Sequence, residues 1–352
     1  MDEGSAAVIR VGIEYAADAY AASVDPRALA GVASTIKLTD LAWSSVEALP
    51  GLSRPSYNWR ALDAEIDRWA RAGIAVDCIV IRCQHWLATA PTYASRGGWL
   101  SSAPPKTPKL WDAYGRFCGA VARRYPGVAL EIESEADRLW SGSIDEYLRL
   151  LGIAYGAIHA ADPSATVVLA GVSPGPLLDD DPDDDEIGAR IMALAEPARS
   201  EVARALDFYG RTLAEGTYDV AELHSLYSPH GIAPTVRRMR DLGAREVWVG
   251  DSFPGASVCW SPPGWCQPSK ADMDARLLAL ERGDAGAREA LWREQMDTTH
   301  ERILEAEAAG CSRLYVGPVV RWPLATGQPW QALLGDDGAP LPVCAVLRAA
   351  QP

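Results

Sequence analysis

At 352 residues and 48% hydrophobic, the chain is long enough to bury a large core as a single α/β barrel domain spanning residues 1–352. A formal net charge of −14 repels phosphate backbones and anionic lipid surfaces, which argues against nucleic acid or a membrane as partner and favours a neutral or cationic small molecule. The opening stretch MDEGSAAVIRVGIEY lacks the basic-then-apolar pattern of a secretory signal, and no later apolar run reaches the length of a membrane span, so the expected location is the cytoplasm.

Short apolar, β-branched runs alternate with amphipathic helical patterns along the whole chain. Strands are expected at 8–13 (VIRVGI), 34–40 (STIKLTD), 75–82 (AVDCIVIR), 128–135 (VALEIESE), 165–171 (ATVVLAG), 218–224 (YDVAELH), 246–251 (EVWVGD) and 313–319 (RLYVGPV). Between them, NWRALDAEIDRWARAG has apolar residues at helical spacing and a C-terminal glycine stop. PKLWDAYGRFCGAVARRYPG closes on Tyr-Pro-Gly, and SIDEYLRLLGIAYGAIHAADP opens with Ser143 and Glu146 at capping-box spacing. Eight such units predict an α/β fold of the single (β/α)8 TIM-barrel type, with the active site on the loops that follow the strands.

Two segments interrupt this rhythm. The acidic loop near 178–187, within LLDDDPDDDEIGAR, reads as a solvated lead into a helix whose N-terminus favours carboxylates; it lacks the glycine and terminal glutamate of an EF-hand calcium loop. The long loop 252–273 follows the seventh strand, where it would shape a substrate site, and its Cys259 and Cys266 could close a small disulfide. The other cysteines, Cys78, Cys83, Cys118, Cys311 and Cys344, have apolar neighbours and read as reduced core thiols.

Chemistry concentrates in ALEIESEADRLW. Strand alternation would send Glu131, Glu133 and Glu135 into the barrel in successive layers, with Glu135 nearest the open end. A carboxylate buried inside the barrel needs a cation, and Lys37 on the second strand is the candidate for Glu131. Neither G-x-G-x-x-G nor a P-loop follows a strand, and the five histidines are too scattered to suggest a metal centre. No metal and no cofactor are therefore expected. His159, His230 and His300 read as surface residues.

The segment PPKTPKLWDAYGRFCGAVARRYPGVALEIESEAD resembles the third-helix and fourth-strand region of clan A glycoside hydrolases, TIM-barrel enzymes whose fourth strand commonly ends in W-E-I-W-N-E-P. IKLTDLAWSSVEALPG, YNWRALDAEIDRWARAGIAV, CQHWLAT, VAELHSLY and LLGDDGAPLPVCAVLRA are similar, in order, to further segments of that family. The resemblance implies cleavage of an O-glycosidic bond in a small glycoside or oligosaccharide by two carboxylates. Glu135 falls on the acid/base position and Asp251, in EVWVGDSFPG, on the nucleophile position. The chain departs from the pattern twice: Asp251 stands where the family has Glu, and Ser134 replaces the Asn before the acid/base. Losing one methylene withdraws the carboxylate by about 1.5 Å, and a gap of roughly 6.5–7 Å enters the inverting range. Retention, inversion with Asp251 as base, and sugar binding by a catalytically degenerate barrel all follow from that change.

The remaining substrate-binding candidates are Trp43, Trp86 and Trp322 at strand ends, where indole faces stack on sugar rings, and His224 with Tyr227 at the end of the sixth strand. His85, with Gln84 beside it, could contact hydroxyl groups. Glu133 is either a carboxylate facing a polar or cationic sugar substituent or the buried partner of a base. Thirteen Trp against three Phe favour sugar stacking, since packing alone would not prefer indole.

Overall fold

The computed structural model describes residues 9–16, 24–89, 101–172, 182–226, 229–255, 275–276, 278–280, 282–320 and 332–351. Its strands are β1 (Arg10–Ala16), β2 (Thr35–Ala42), β3 (Ala75–Arg82), β4 (Ala129–Ile132), β5 (Val167–Leu169), β6 (Ala221–Ser225), β7 (Val247–Ser252) and β8 (Arg313–Val316). Every expected strand is present. They form one parallel sheet in the order β5-β4-β3-β2-β1-β8-β7-β6. The two ends of the sheet meet through bridges Val168–Val220 and Val172–Leu223, with the Leu169 N–H donating to the Val220 carbonyl at 2.9 Å. The chain is thus a (β/α)8 barrel.

The longer helices are α1 (Arg60–Arg71), α2 (Pro108–Arg124), α3 (Ile144–Ala161), α4 (Asp184–Met192), α5 (Ala198–Glu215), α6 (Ile232–Asp241), α7 (Ala285–Ala308) and α8 (Cys344–Ala349). Both halves of the Ser143–Glu146 capping box form at the start of α3. The described part of the acidic segment opens α4 in the same way, with Asp183 as N-cap and Glu186 closing the box, so these carboxylates satisfy free N–H groups at a helix start. Among the described residues, no helix is long and apolar enough to cross a membrane.

The barrel interior is layered. Cys78, Ala129, Val168, Val220, Trp248 and Tyr315 form an apolar plug at one level. Along β2, β4 and β6, Lys37, Glu131 and Glu222 make a polar layer that is almost completely buried. The Lys37 ammonium lies 2.6 Å from Glu131 Oε2, pairs with Glu222 Oε1, and donates to the Gly250 carbonyl at 3.0 Å. This is the cation expected for Glu131, shared with a second carboxylate.

The simple alternation expected from Glu131 through Glu135 does not hold. β4 ends at Ile132, whose carbonyl accepts from the Tyr147 hydroxyl of α3 at 2.9 Å, and Glu133 and Glu135 take positive φ angles of 69° and 45°. Left-handed backbone at a non-glycine residue costs about 1–2 kcal/mol. Two such residues within three positions turn the chain sideways off the strand, so Glu133 leaves the barrel axis while Glu135 starts the helical turn Ala136–Leu139.

Candidate active site

Two backbone irregularities assemble the barrel mouth. The first is the left-handed turn that carries Glu135. The second is in β7: Leu223 pairs with Val249 but His224 pairs with Asp251, so Gly250 is one residue too many and the facing alternation shifts there. Asp251 is thereby set opposite His224. A Cβ on Gly250 would lie 1.6 Å from the Glu222 carboxyl, so only glycine lets β7 pass this layer. Gly171, just past β5, leaves the same kind of room for the His224 ring, which would be 2.0 Å from a Cβ.

His224 is the centre of the arrangement. Its Nδ1 lies 3.2 Å from Glu135 Oε1 and 4.0 Å from Asp251 Oδ2, and its Nε2 lies 3.3 Å from Glu222 Oε1. Burial alone would pull its pKa down. The hydrogen bond to Glu135, the ion pair with Glu222 and the charge of Asp251 reverse this and carry it well above the ordinary histidine value, which favours the protonated ring. Since both distances share Nδ1, the two catalytic-candidate oxygens are no more than about 7 Å apart, a span that admits either a retaining or an inverting pair.

The carboxyls of this cluster differ in their electrostatics. Burial would raise Glu135, but Arg138 and His224 bring it down to about 2, so it is ionised in the free site. Burial raises Asp251, and the nearby His224 and Lys37 charges offset this only in part. Asp137, in the turn after Glu135, is pushed up to about 6 by burial and the Glu135 charge against the pull of Arg138. At the rim, the Glu135 side chain is 21% exposed and that of Asp251 is 12% exposed, whereas His224 is buried beneath them. The two carboxylates are therefore the groups that face outward.

The other sequence candidates are distributed around this centre. Glu133 is buried, pairs with Arg82 at 3.0 Å and accepts from the Cys83 N–H, so it is the partner of a base and holds the ends of β3 and β4 together. Trp43 is fully buried; its indole donates to Glu47 Oε2 at 2.7 Å and meets His85 edge-on at 5.0 Å. His85 accepts at Nδ1 from the Leu87 N–H and therefore donates from Nε2 to the Glu47 carbonyl at 2.6 Å. Both residues lie beneath the surface and tie the loops after β2 and β3 together. Trp86 is different: at 72% exposure its ring is open to a ligand. Ser134 is half-buried between the two left-handed glutamates. Tyr227, Trp322, Cys259, Cys266 and most of the 252–273 loop lie outside the described residues.

Sequence reading missed Glu14, Glu222 and Arg138. Glu14 stands toward the C-terminal end of β1 and Glu222 is the second residue of β6, both acidic residues within strands, the same signal that singled out Glu131. Residues 171–175, GVSPG, also have G-x-S-x-G spacing after β5. Ser173 lies outside the described residues, and Gly171 is accounted for by the His224 ring.

Among the described residues, Glu131, Glu222 and His224 offer donor atoms within 4.8 Å of one another, the spacing of a metal site. The Lys37 ammonium already pairs with both carboxylates and His224 carries its own proton, so the cluster is charge-compensated by the chain itself.

No protein-family model and no curated protein matches the sequence. Solved structures do resemble it. A family 39 glycoside hydrolase from the gut symbiont Bacteroides cellulosilyticus WH2 superposes with a TM-score of 0.56 at 14% identity, covering 97% of this chain and 62% of the other. An exo-beta-1,4-mannosidase from Opitutaceae bacterium strain TAV5 gives 0.56 at 13%, covering 99% and 60%. The GH5-4 broad specificity endoglucanase from Clostridium acetobutylicum gives 0.53 at 10%, covering 97% and 96%. The chain thus spans about three fifths of the first two and nearly all of the third. At these identities the likeness is one of fold, the (β/α)8 barrel.

Proposed function

We propose that the chain is a glycoside hydrolase that cleaves an O-glycosidic bond with Glu135 as general acid/base and Asp251 as nucleophile, or as base if the reaction inverts. The observation that carries this reading is the convergence of Glu135, from the turn after β4, and Asp251, from β7, on one histidine at the open end of the barrel. The glycosidase barrels it resembles add weight. Trp86 supplies a stacking face, and a small glycoside or oligosaccharide is the substrate class; neither nucleic acid nor a lipid surface suits a chain of net charge −14.

In this mechanism Glu135 delivers a proton to the leaving oxygen as the bond to the anomeric carbon breaks, and Asp251 either attacks that carbon or takes a proton from the water that does. Glu135 is ionised in the free site, so it needs a proton before it can act as acid. His224 Nδ1, 3.2 Å from Oε1, is placed to supply one, leaving a neutral imidazole.

A second reading exchanges the roles: Glu135, held near pKa 2, attacks, and Asp251, raised by burial, carries the proton. Turnover of aryl glycosides with poor and good leaving groups by wild type, Glu135→Gln and Asp251→Asn separates the two. The proposed assignment expects Glu135→Gln to keep activity on the activated substrate and Asp251→Asn to lose it on both. The opposite pattern assigns the exchanged roles. Product anomers followed by proton NMR give retention or inversion. No turnover of any glycoside, with sugar binding that survives both substitutions, would leave a carbohydrate-binding barrel instead.

A further inference from the structure

The two ring nitrogens of His224 meet different neighbours. Nδ1 lies 3.2 Å from Glu135 Oε1 and 4.0 Å from Asp251 Oδ2. Nε2 lies 3.3 Å from Glu222 Oε1, an approach of two charged groups and not an aligned hydrogen bond. Gly171 makes that approach possible. A Cβ there would lie 2.0 Å from Nε2 and 3.0 Å from Glu222 Oε1, so its missing side chain leaves the space in which the two groups meet.

Glu222 is fully buried, and the same Oε1 pairs with the Lys37 ammonium. That ammonium lies 2.6 Å from Glu131 Oε2 and donates to the Gly250 carbonyl at 3.0 Å, so its three protons have three oxygens to face. Burial alone would raise the Glu222 carboxyl; Lys37 and His224 bring it below the usual carboxylate value, so it stays an anion. The charged groups facing the ring are Glu14 from β1, Glu131 from β4, Glu135 and Asp137 from the turn after β4, Glu222 from β6 and Asp251 from β7. Glu135 and Asp251 address Nδ1, whereas Glu222 addresses Nε2. An imidazolium can give up either proton, and an anion fixed against one nitrogen decides which proton stays.

We propose that Glu222 is a positioning residue for His224: it keeps the Nε2 proton in place and makes Nδ1 the nitrogen that gives a proton to Glu135. In that step the Nδ1–H bond breaks and an O–H bond forms at Glu135 Oε1. The electron pair of the broken bond stays on Nδ1, and the ring is left neutral with its Nε2–H toward Glu222. The effect on rate rests on the hydrolase reading; the state of the ring does not.

The test uses the full chain. Nitrogen-15 NMR of labelled histidine, with the His224 ring assigned by its loss in His224→Gln, is followed against pH for wild type, Glu222→Gln and Glu131→Gln. Turnover of an aryl glycoside is measured in parallel. Glu222→Gln keeps the shape of the side chain and leaves Lys37 its Glu131 partner, but removes the charge beside Nε2. The ring should then lose its proton at a lower pH than in wild type. kcat should fall about ten- to a hundredfold with KM little changed, a part of the roughly 10²–10⁴ that a placed proton donor contributes. Glu131→Gln takes a carboxylate from the same Lys37 and the same layer, so it reports what the layer gives to folding, and it should move both readouts less. A ring that behaves alike in Glu222→Gln and wild type, a neutral wild-type ring that keeps its proton on Nδ1, or equal changes from Glu222→Gln and Glu131→Gln overturns the proposal. If wild type turns over no glycoside, the hydrolase reading fails while the ring spectra still decide the role of Glu222. Should Glu222→Gln not fold, Glu222→Asp, whose charge sits one methylene farther from Nε2, carries the same comparison.

Discussion

His224 and Glu135, 89 residues apart in the chain, meet as an imidazolium and a carboxylate with Nδ1 and Oε1 at 3.2 Å. The pair shifts both groups in opposite directions, and its sign can be followed with pH. His224 has a folded pKa above its unfolded one, so its contribution to stability is complete below about 6.5 and is lost as pH rises through the elevated value. Glu135 has a folded pKa depressed to about 2, so its contribution is present above the ordinary 4.5 and is lost as pH falls toward 2. Urea midpoints of wild type and His224→Gln across this range should differ most between those limits and converge at the acid end. A constant difference at every pH would show that the ion pair is not what the substitution removes.

Lys37 should be the most sensitive polar position of the interior. Replacing it by Met leaves Glu131 and Glu222 buried without their cation, and breaking a buried pair in this way costs about 3–5 kcal/mol. Urea denaturation at neutral pH reads the loss. Adding Glu131→Gln and Glu222→Gln to Lys37→Met should restore part of it, since neutral amides replace stranded charges.

Gly250→Ala tests the β7 irregularity. Its Cβ falls 1.6 Å from the Glu222 carboxyl, so either the polar layer or the strand must move, and overpacking of this kind costs about 1–3 kcal/mol or more. The expected result is a lower thermal midpoint together with a loss of kcat, because displacing β7 displaces Asp251. A variant with wild-type stability would mean that β7 has another way past Glu222.

Trp86 should separate binding from stability. At 72% exposure its removal changes folding by no more than about 0.5 kcal/mol. Loss of a stacking face weakens sugar binding by about 0.5–1.5 kcal/mol, or up to roughly tenfold in KM. Trp86→Ala compared with Trp43→Ala makes the contrast sharp, because the buried Trp43 should lose about 3–5 kcal/mol of stability. Equal stability losses from the two changes would contradict the burial seen here.

Alternation, capping and chain order are short-range properties, so the sequence by itself determined the eight strands, the Ser143 capping box, the need of Glu131 for Lys37, and the position of Glu135 beyond β4 and of Asp251 near the end of β7. It could not determine which way the last carboxylates turn. That depends on the left-handed backbone at Glu133 and Glu135 and on the extra residue at Gly250, each tolerated because groups from distant strands fill or vacate the space around it. The same dependence on distant neighbours separates a buried Trp43 from an exposed Trp86, although both follow a strand, and gives Glu133 to Arg82. Tertiary structure alone raised the His224 pKa above its ordinary value, because a pKa is set by burial and by charges that only the closed barrel brings within reach.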